Sequence, residues 1–199
     1  MQRIRRALID LRRGEPVHLS DEGGGSLILA LENLTEDRFG QARQLASGSP
    51  RILLTAHRAL ALGLDGHGGN GIAISLPDTD AVAIARQLAE GREASVSGAS
   101  IRAVTDGESQ ALALTRRATL LPALVSIDSD PGRDPLTGEI RKGEVLSIDR
   151  GEARRFFAHS GRHPERISEA SVPLAGAETS RFILYREADG LLEHVALVI

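Results

Sequence analysis

The residues whose types and spacing could do chemistry are two glycine clusters, a pair of histidines and a scatter of carboxylates and hydroxyls. Gly66, Gly68 and Gly71 follow the order Gly-x-Gly-x-x-Gly, with which a dinucleotide site lets the backbone approach a pyrophosphate. That chemistry needs a strand before the glycines and a helix N-terminus after them, so that the helix dipole faces the anion. Here a helical stretch precedes them and the apolar run Ile72 to Ser75 follows. The order is reversed, and the segment reads as a loop from helix to strand. Gly23-Gly24-Gly25 is not followed by the Lys-Ser or Lys-Thr of a phosphate loop. The strand-like run Leu27 to Leu31 stands where the helix would be, so this cluster reads as a tight turn. His159 and His163 are four apart, a spacing that on a helix offers two nitrogens to zinc. Gly161 between them and Pro164 after them oppose a regular helix, no third ligand is evident, and there is no Cys. They read as loop histidines. No Gly-x-Ser-x-Gly elbow is present, and one sequence does not say which Ser, His and Asp converge. No residue is therefore assigned a catalytic, cofactor-binding or metal-ligating role.

Composition bounds the class of protein. The chain has 199 residues, long enough for one large domain or two small ones. It is 41% hydrophobic and 26% charged, ordinary for a chain that buries a core. Aromatic residues are only 3%, so the core is built from Leu, Ile, Val and Ala. No apolar run approaches the length of a membrane span, and the arginine-rich start, Met1 to Arg13, lacks the apolar stretch of a secretory signal. A net charge of −3 gives no global attraction to nucleic acid or an anionic membrane. The local arginines Arg3, Arg5, Arg6, Arg12 and Arg13 spread around a helix whose buried stripe is Ile4, Leu8 and Leu11. The absence of Cys fits a reducing cytosol, and a cytoplasmic location is the expectation.

Patterning places the elements. A helix is predicted from Gln2 to Arg13, ending at Gly14, then strands Pro16 to Leu19 and Leu27 to Leu31. Thr35 reads as the N-cap of a helix that Glu36 and Asp37 favour, with Leu34 and Phe39 as a hydrophobic staple. Strand Ile52 to Leu54, helix Ala56 to Leu62, strand Ile72 to Ser75 and a helix Thr79 to Glu90 capped by Asp78 follow. Strand Ile101 to Val104, helix Glu108 to Ala118 and strand Ala123 to Ile127 complete the series. Asp128 to Gly143 is rich in turn dipeptides and reads as a connection, with a helix turn or two near Arg154 to Ser160. From Ile167 the pattern is β: Ile167 to Val172, Arg181 to Glu187 and Glu193 to Ile199, with Ala188-Asp189-Gly190 as a hairpin turn. The apolar run Val195 to Ile199 expects cover on both faces. The expected fold class is α/β, a mixed α+β sheet with flanking helices, followed by the opening β-hairpin of a second, incomplete domain. The expected divisions are 1–127, a linker 128–166, and 167–199.

Two segments carry a resemblance. Ala7-Leu8-Ile9-Asp10-Leu11-Arg12-Arg13-Gly14-Glu15-Pro16-Val17 and Leu114-Thr115-Arg116-Arg117-Ala118-Thr119-Leu120-Leu121-Pro122-Ala123-Leu124-Val125 resemble the 3,4-dihydroxy-2-butanone 4-phosphate synthase family. Ser171-Val172-Pro173-Leu174, Arg181 to Arg186 and Glu193-His194-Val195-Ala196-Leu197-Val198-Ile199 are similar to the N-terminal edge of GTP cyclohydrolase II. The two activities are often fused in riboflavin biosynthesis, with the synthase-like part first. The synthase resemblance implies an acidic magnesium-binding loop where this chain has Ser20-Asp21-Glu22-Gly23-Gly24-Gly25-Ser26, with only Asp21 and Glu22 left. It also implies a Gly-His-Thr-Glu element, here Asp106-Gly107-Glu108-Ser109, with Gly107 at the metal-binding histidine and Glu108 one place out of register.

The resemblance thus implies a degenerate synthase site in front of a cyclohydrolase. The cyclohydrolase family uses three cysteines to bind a zinc ion that activates water for opening the imidazole ring of GTP, with release of formate. No cysteine occurs here, so zinc and GTP are expected only for a complete parent enzyme. The chain as written is expected to be an inactive N-terminal portion, a truncation or an incomplete record, with His194 structural. Two alternatives stand beside this: a non-catalytic module acting in homodimerisation or regulation, and a residual synthase. No nucleic-acid or membrane partner is expected.

Overall fold

The computed structural model describes residues 2–64, 69–91, 98–130, 132, 134–159, 164–187, 190 and 192–199. It divides into two compact units, Met1–Ala153 and Arg154–Ile199. In the first, helix α1 (Gln2–Arg12) leads into the hairpin β1 (Val17–Asp21) and β2 (Gly24–Ala30). A single 3-10 turn, Leu31–Asn33, precedes α2 (Glu36–Leu45). Then come β3 (Pro50–Thr55), α3 (Ala56–Ala61), β4 (Gly71–Ser75), α4 (Ala81–Glu90), β5 (Ile101–Ala103), α5 (Asp106–Arg117) and β6 (Ala123–Ser129). Helix α6 (Leu136–Lys142) and β7 (Leu146–Asp149) follow, and the division between the units falls within α7 (Arg150–His159).

The seven strands form one mixed sheet in the order β5-β4-β3-β6-β2-β1-β7. Every pairing is antiparallel except β1 with β7. Strand alternation sends Leu27, Leu29, Ile52, Leu54, Ile72, Ile74, Val125 and Ile127 to one face, where they pack with Phe39 and Ala42 of α2 and Val82, Ala85 and Leu88 of α4. The opposite face carries Ile28, Leu53 and Leu124, joined across the strands by register, and α1 and α5 lie against it. The expected α/β class, a mixed sheet flanked by helices, is the class observed, and where an opening β-hairpin was expected a separate three-stranded sheet follows.

The local signals explain most boundaries. Gly14 supplies the positive φ (73°) that ends α1. Thr35 caps α2 by accepting the Arg38 N–H, and Leu34 and Phe39 are both buried in the core that the staple predicts. Helix α4 differs: it begins at Ala81, behind an Asp80 in the left-handed region (φ 57°) that makes no side-chain cap, rather than at Thr79 behind Asp78. The larger difference lies after Ile127. The segment read as a connection forms α6, and β7 returns to pair in parallel with β1 at the sheet edge, Val17 opposite Leu146 and Leu19 opposite Ile148. Of the turn dipeptides, Asp134-Pro135 stands just before α6, but Thr137-Gly138 lies inside it, and a parallel partner some 130 residues away leaves no trace in local pattern. The helical turns expected near Arg154 to Ser160 fall in the longer α7, which ends at His159, with Ser160 outside the described residues.

The second unit contains an antiparallel sheet, β8 (Glu165–Ser171), β9 (Arg181–Arg186) and β10 (Glu193–Val198), in the order β10-β9-β8. Gly190, at φ 71°, takes the left-handed conformation expected of it, while Ala188 and Asp189 lie outside the described residues. Among the described residues no helix is long and apolar enough to cross a membrane.

Leu53, fully buried in the middle of β3, tests the core of the first unit. Leu53→Ala is expected to lower unfolding stability by about 2–5 kcal/mol. The measurement is a urea titration, in which the midpoint should fall at an unchanged slope.

Candidate functional site

Strand alternation brings polar side chains together at one corner of the sheet face covered by α5. Arg51 of β3 lies opposite Ser126 of β6, Asp128 lies opposite Ser26 of β2, and Arg102 of β5 lies opposite Ala73. By the same alternation they share a face with Ile28, Leu53 and Leu124. The first turn of α5 closes over them with Gly107 and Glu108. Asp21 ends β1, and Arg150 opens α7 directly after β7.

Glu108 is the most committed residue of this corner. Its carboxylate accepts two hydrogen bonds from Arg102, both at 2.7 Å, and one from the Thr105 N–H at 2.8 Å. The Glu108 N–H in turn reaches the Thr105 hydroxyl at 3.3 Å, which makes a capping box. Nε of Arg51 lies 3.4 Å from the same carboxylate, while the Arg51 Nη2 donates to Asp128. Burial by itself would raise the Glu108 carboxyl. The hydrogen bonds from Arg102 and Thr105, with the charges of Arg102 and Arg51, outweigh it and hold the group below the usual carboxylate range. A carboxylate so held is a poor proton acceptor near neutral pH.

Asp21 is taken up in a second pair. Its Oδ2 binds Nη1 of Arg150, and its Oδ1 accepts the Glu22 N–H at 2.8 Å. The Arg150 guanidinium lies so close to Gly107 that a Cβ there would overlap it. Nε of Arg150 is buried without a hydrogen-bond partner, as is the hydroxyl of Ser126. Three guanidiniums thus face three carboxylates, Asp21, Glu108 and Asp128. Among the described residues no group of three His, Asp or Glu side chains is placed to hold a metal ion.

On the other face, His18 of β1 is buried between two hydroxyls: Nδ1 is 2.9 Å from Ser147 of β7, and Nε2 is 3.0 Å from Ser129 of β6. To reach Ser129 the ring crosses β2 over Gly25, where a Cβ would overlap it. Burial, with the nearby charge of Arg150, lowers its pKa. Both ring nitrogens thus face hydroxyls, and the contact is a buried polar bridge across three strands.

The positions singled out in the sequence are distributed unevenly. Asp21, Gly107 and Glu108 meet in the polar corner. Glu22 sits in the exposed turn after β1. The Gly66-His67-Gly68 stretch and His163 lie outside the described residues, although α3 ends before the glycines and β4 begins after them. His194 accompanies Glu187, 3.0 Å from its carboxylate, within the second unit. Sequence reasoning missed Arg51, Arg102 and Arg150. The first two carried a signal: an arginine inside a strand that is otherwise apolar needs a buried anion. Arg150 carried none.

No family model matches the chain. The whole chain is 29% identical over 206 residues to a GTP cyclohydrolase-2 from Azospirillum brasilense. This chain resembles a GTP cyclohydrolase II along its full length. It spans 54% of that relative's length. Among solved structures, RibBX, a two-domain 3,4-dihydroxy-2-butanone 4-phosphate synthase from A. baumannii, matches 98% of this chain and 69% of its own (TM-score 0.58, 18% identity). The synthase of Candida albicans matches 77% of this chain and 96% of its own (TM-score 0.58, 19% identity). A synthase solved with two magnesium ions matches 78% of this chain and 95% of its own (TM-score 0.56, 20% identity). The synthase-like fold expected from the sequence is thus observed. At these identities the structural likeness concerns fold alone.

The His18 environment gives a pH prediction. Its pKa is lowered in the folded state, so the unfolded chain binds the proton more readily. Its contribution to stability is present above about pH 6.5 and is lost as the pH falls through that value toward the folded pKa. Urea midpoints between pH 8 and pH 5 should fall with this dependence in the natural chain and lose it in His18→Gln (about one titrating group).

Proposed function

We propose that the chain is the N-terminal part of a GTP cyclohydrolase II-type protein of riboflavin biosynthesis. In this reading the first unit is a non-catalytic scaffold, acting in dimerisation or regulation, and the second supplies the opening strands of the cyclohydrolase domain. The full-length similarity to a GTP cyclohydrolase-2 almost twice as long is the observation that carries it. The second unit supports it. Register puts Val195 opposite Leu184 and Leu197 opposite Phe182, so the four share one face of the small sheet. Val195 is 63% exposed and Leu197 45%, and such an apolar face calls for cover.

The parent reaction would be zinc-dependent hydrolytic opening of the GTP imidazole ring with release of formate. The residues present do not fit the zinc: the chain has no cysteine, and no step is assigned to it here. The first unit carries the synthase fold, but its carboxylates at the polar corner are bound to arginines, which argues against synthase chemistry.

Two experiments test this. The coding DNA should continue in frame past Ile199 into a segment with zinc-type cysteines, and the complete polypeptide, but not this chain, should release formate from GTP. A stop codon with no such segment downstream would sink the reading. The chain supplied with ribulose 5-phosphate and Mg²⁺ should release no formate; release would restore the synthase alternative. For the scaffold role, light scattering is expected to give twice the 21.2 kDa chain mass, and a stable monomer would remove the dimerisation form.

A further inference from the structure

The fold implies a divalent-cation site, since one synthase of the same fold was solved with two magnesium ions. The sequence resemblance places the metal-binding carboxylates at Ser20 to Ser26 and the metal-binding histidine at Gly107. The residues present do not fit such an ion. Magnesium prefers an octahedron of hard oxygens with one or two carboxylates free to reach it. Asp21 is bound to Arg150, Glu108 is turned to Arg102, Arg51 and the Thr105 N–H, and Gly107 offers no donor. The space that a side chain at 107 would enter is filled by the Arg150 guanidinium.

We propose that Arg150 is the resident cation of this corner. Its fixed positive charge neutralises Asp21 at the end of β1, and its planar head lies against the first turn of α5 at Gly107. It thereby does both things that a bound divalent ion would do between those elements: cancelling carboxylate charge and tying strand to helix. The guanidinium is held on one side by the ion pair and lies on the other against Gly107, while its buried Nε has no hydrogen-bond partner. Gly107 and Arg150 are one device, since any side chain at 107 would displace the guanidinium. The first unit therefore keeps its fold without a divalent ion and excludes one. This holds whether or not the polypeptide continues into a cyclohydrolase.

The test is a titration of the full chain with Mn²⁺, followed by the electron paramagnetic resonance of the free ion, with Mg²⁺ as competitor. The natural chain should leave Mn²⁺ free up to about 1 mM, and its Tm should not rise with the ion. Arg150→Ala uncovers Asp21 and should retain roughly fivefold more Mn²⁺. Arg150→Lys keeps the charge and should behave as the natural chain does. If Arg150→Ala does not fold, as judged by circular dichroism, Arg150→Gln is read in its place. Arg43→Ala, which releases Asp78 elsewhere on the surface, controls for net charge and should gain nothing. The proposal is overturned if the natural chain holds Mn²⁺ at a site that Asp21→Asn abolishes. It is equally overturned if neutralising Arg150 changes Mn²⁺ retention no more than Arg43→Ala does.

Discussion

A carboxylate that a covering helix takes out of water has to be cancelled inside the fold. In the first unit this constraint falls on the corner beneath α5. Removing a carboxylate such as that of Glu108 from water costs several kcal/mol. The cost is offset only because Arg102 meets it in a two-point geometry and the capping box adds a backbone donor. Arg51 is shared between Glu108 and Asp128, and Arg150 answers Asp21. Glu108 is thus almost wholly out of water, whereas Asp21 and Asp128 stay about half exposed, each beside one arginine.

The opposite face solves a milder version of the problem. His18 is buried, and a neutral imidazole needs only two partners, which Ser147 and Ser129 provide. The geometry works because Gly25, on the strand between His18 and Ser129, leaves room for the ring to pass over it. The second unit has a different deficit. Three strands are near the lower limit for independent stability, and β8 is exposed along its whole length. In the proposed reading the missing apolar area is supplied by the remainder of a cyclohydrolase domain, which gives the exposed Val195 and Leu197 a physical reason.

Much of this was legible in the sequence. Helix boundaries at Gly14 and Thr35 follow from local chemistry, a left-handed terminator and a side-chain cap. Strands β2, β3, β4 and β6 announced themselves as short apolar runs, because both of their faces are covered. Strand β7 and helix α6 did not. A four-residue strand needs a distant partner to define it, and its parallel pairing with β1 is a tertiary fact. The site was half legible for a similar reason. The family pattern drew attention to Asp21, Gly107 and Glu108, whereas their partners Arg51, Arg102 and Arg150 come from other elements and converge only in the folded chain.

The pair formed by Gly107 and Arg150 illustrates how a fold and the charges within it are specified by different residues. The sheet and its helices are specified by many apolar positions, each of which tolerates exchange for another apolar residue of about the same volume. Synthase chains at 18–20% identity can therefore share this architecture. A cation-binding corner depends instead on a handful of groups whose charges must sum correctly. With Gly at 107 the space for a guanidinium opens, and with Arg at 150 the charge on Asp21 is met from within the chain. Either residue alone would be unfavourable: the arginine would collide with a side chain at 107, and the glycine would leave Asp21 beside an unfilled space. Together they are mutually consistent. In the reading proposed above, two positions far apart in the sequence put a permanent internal cation beside Asp21, and the fold around them is kept.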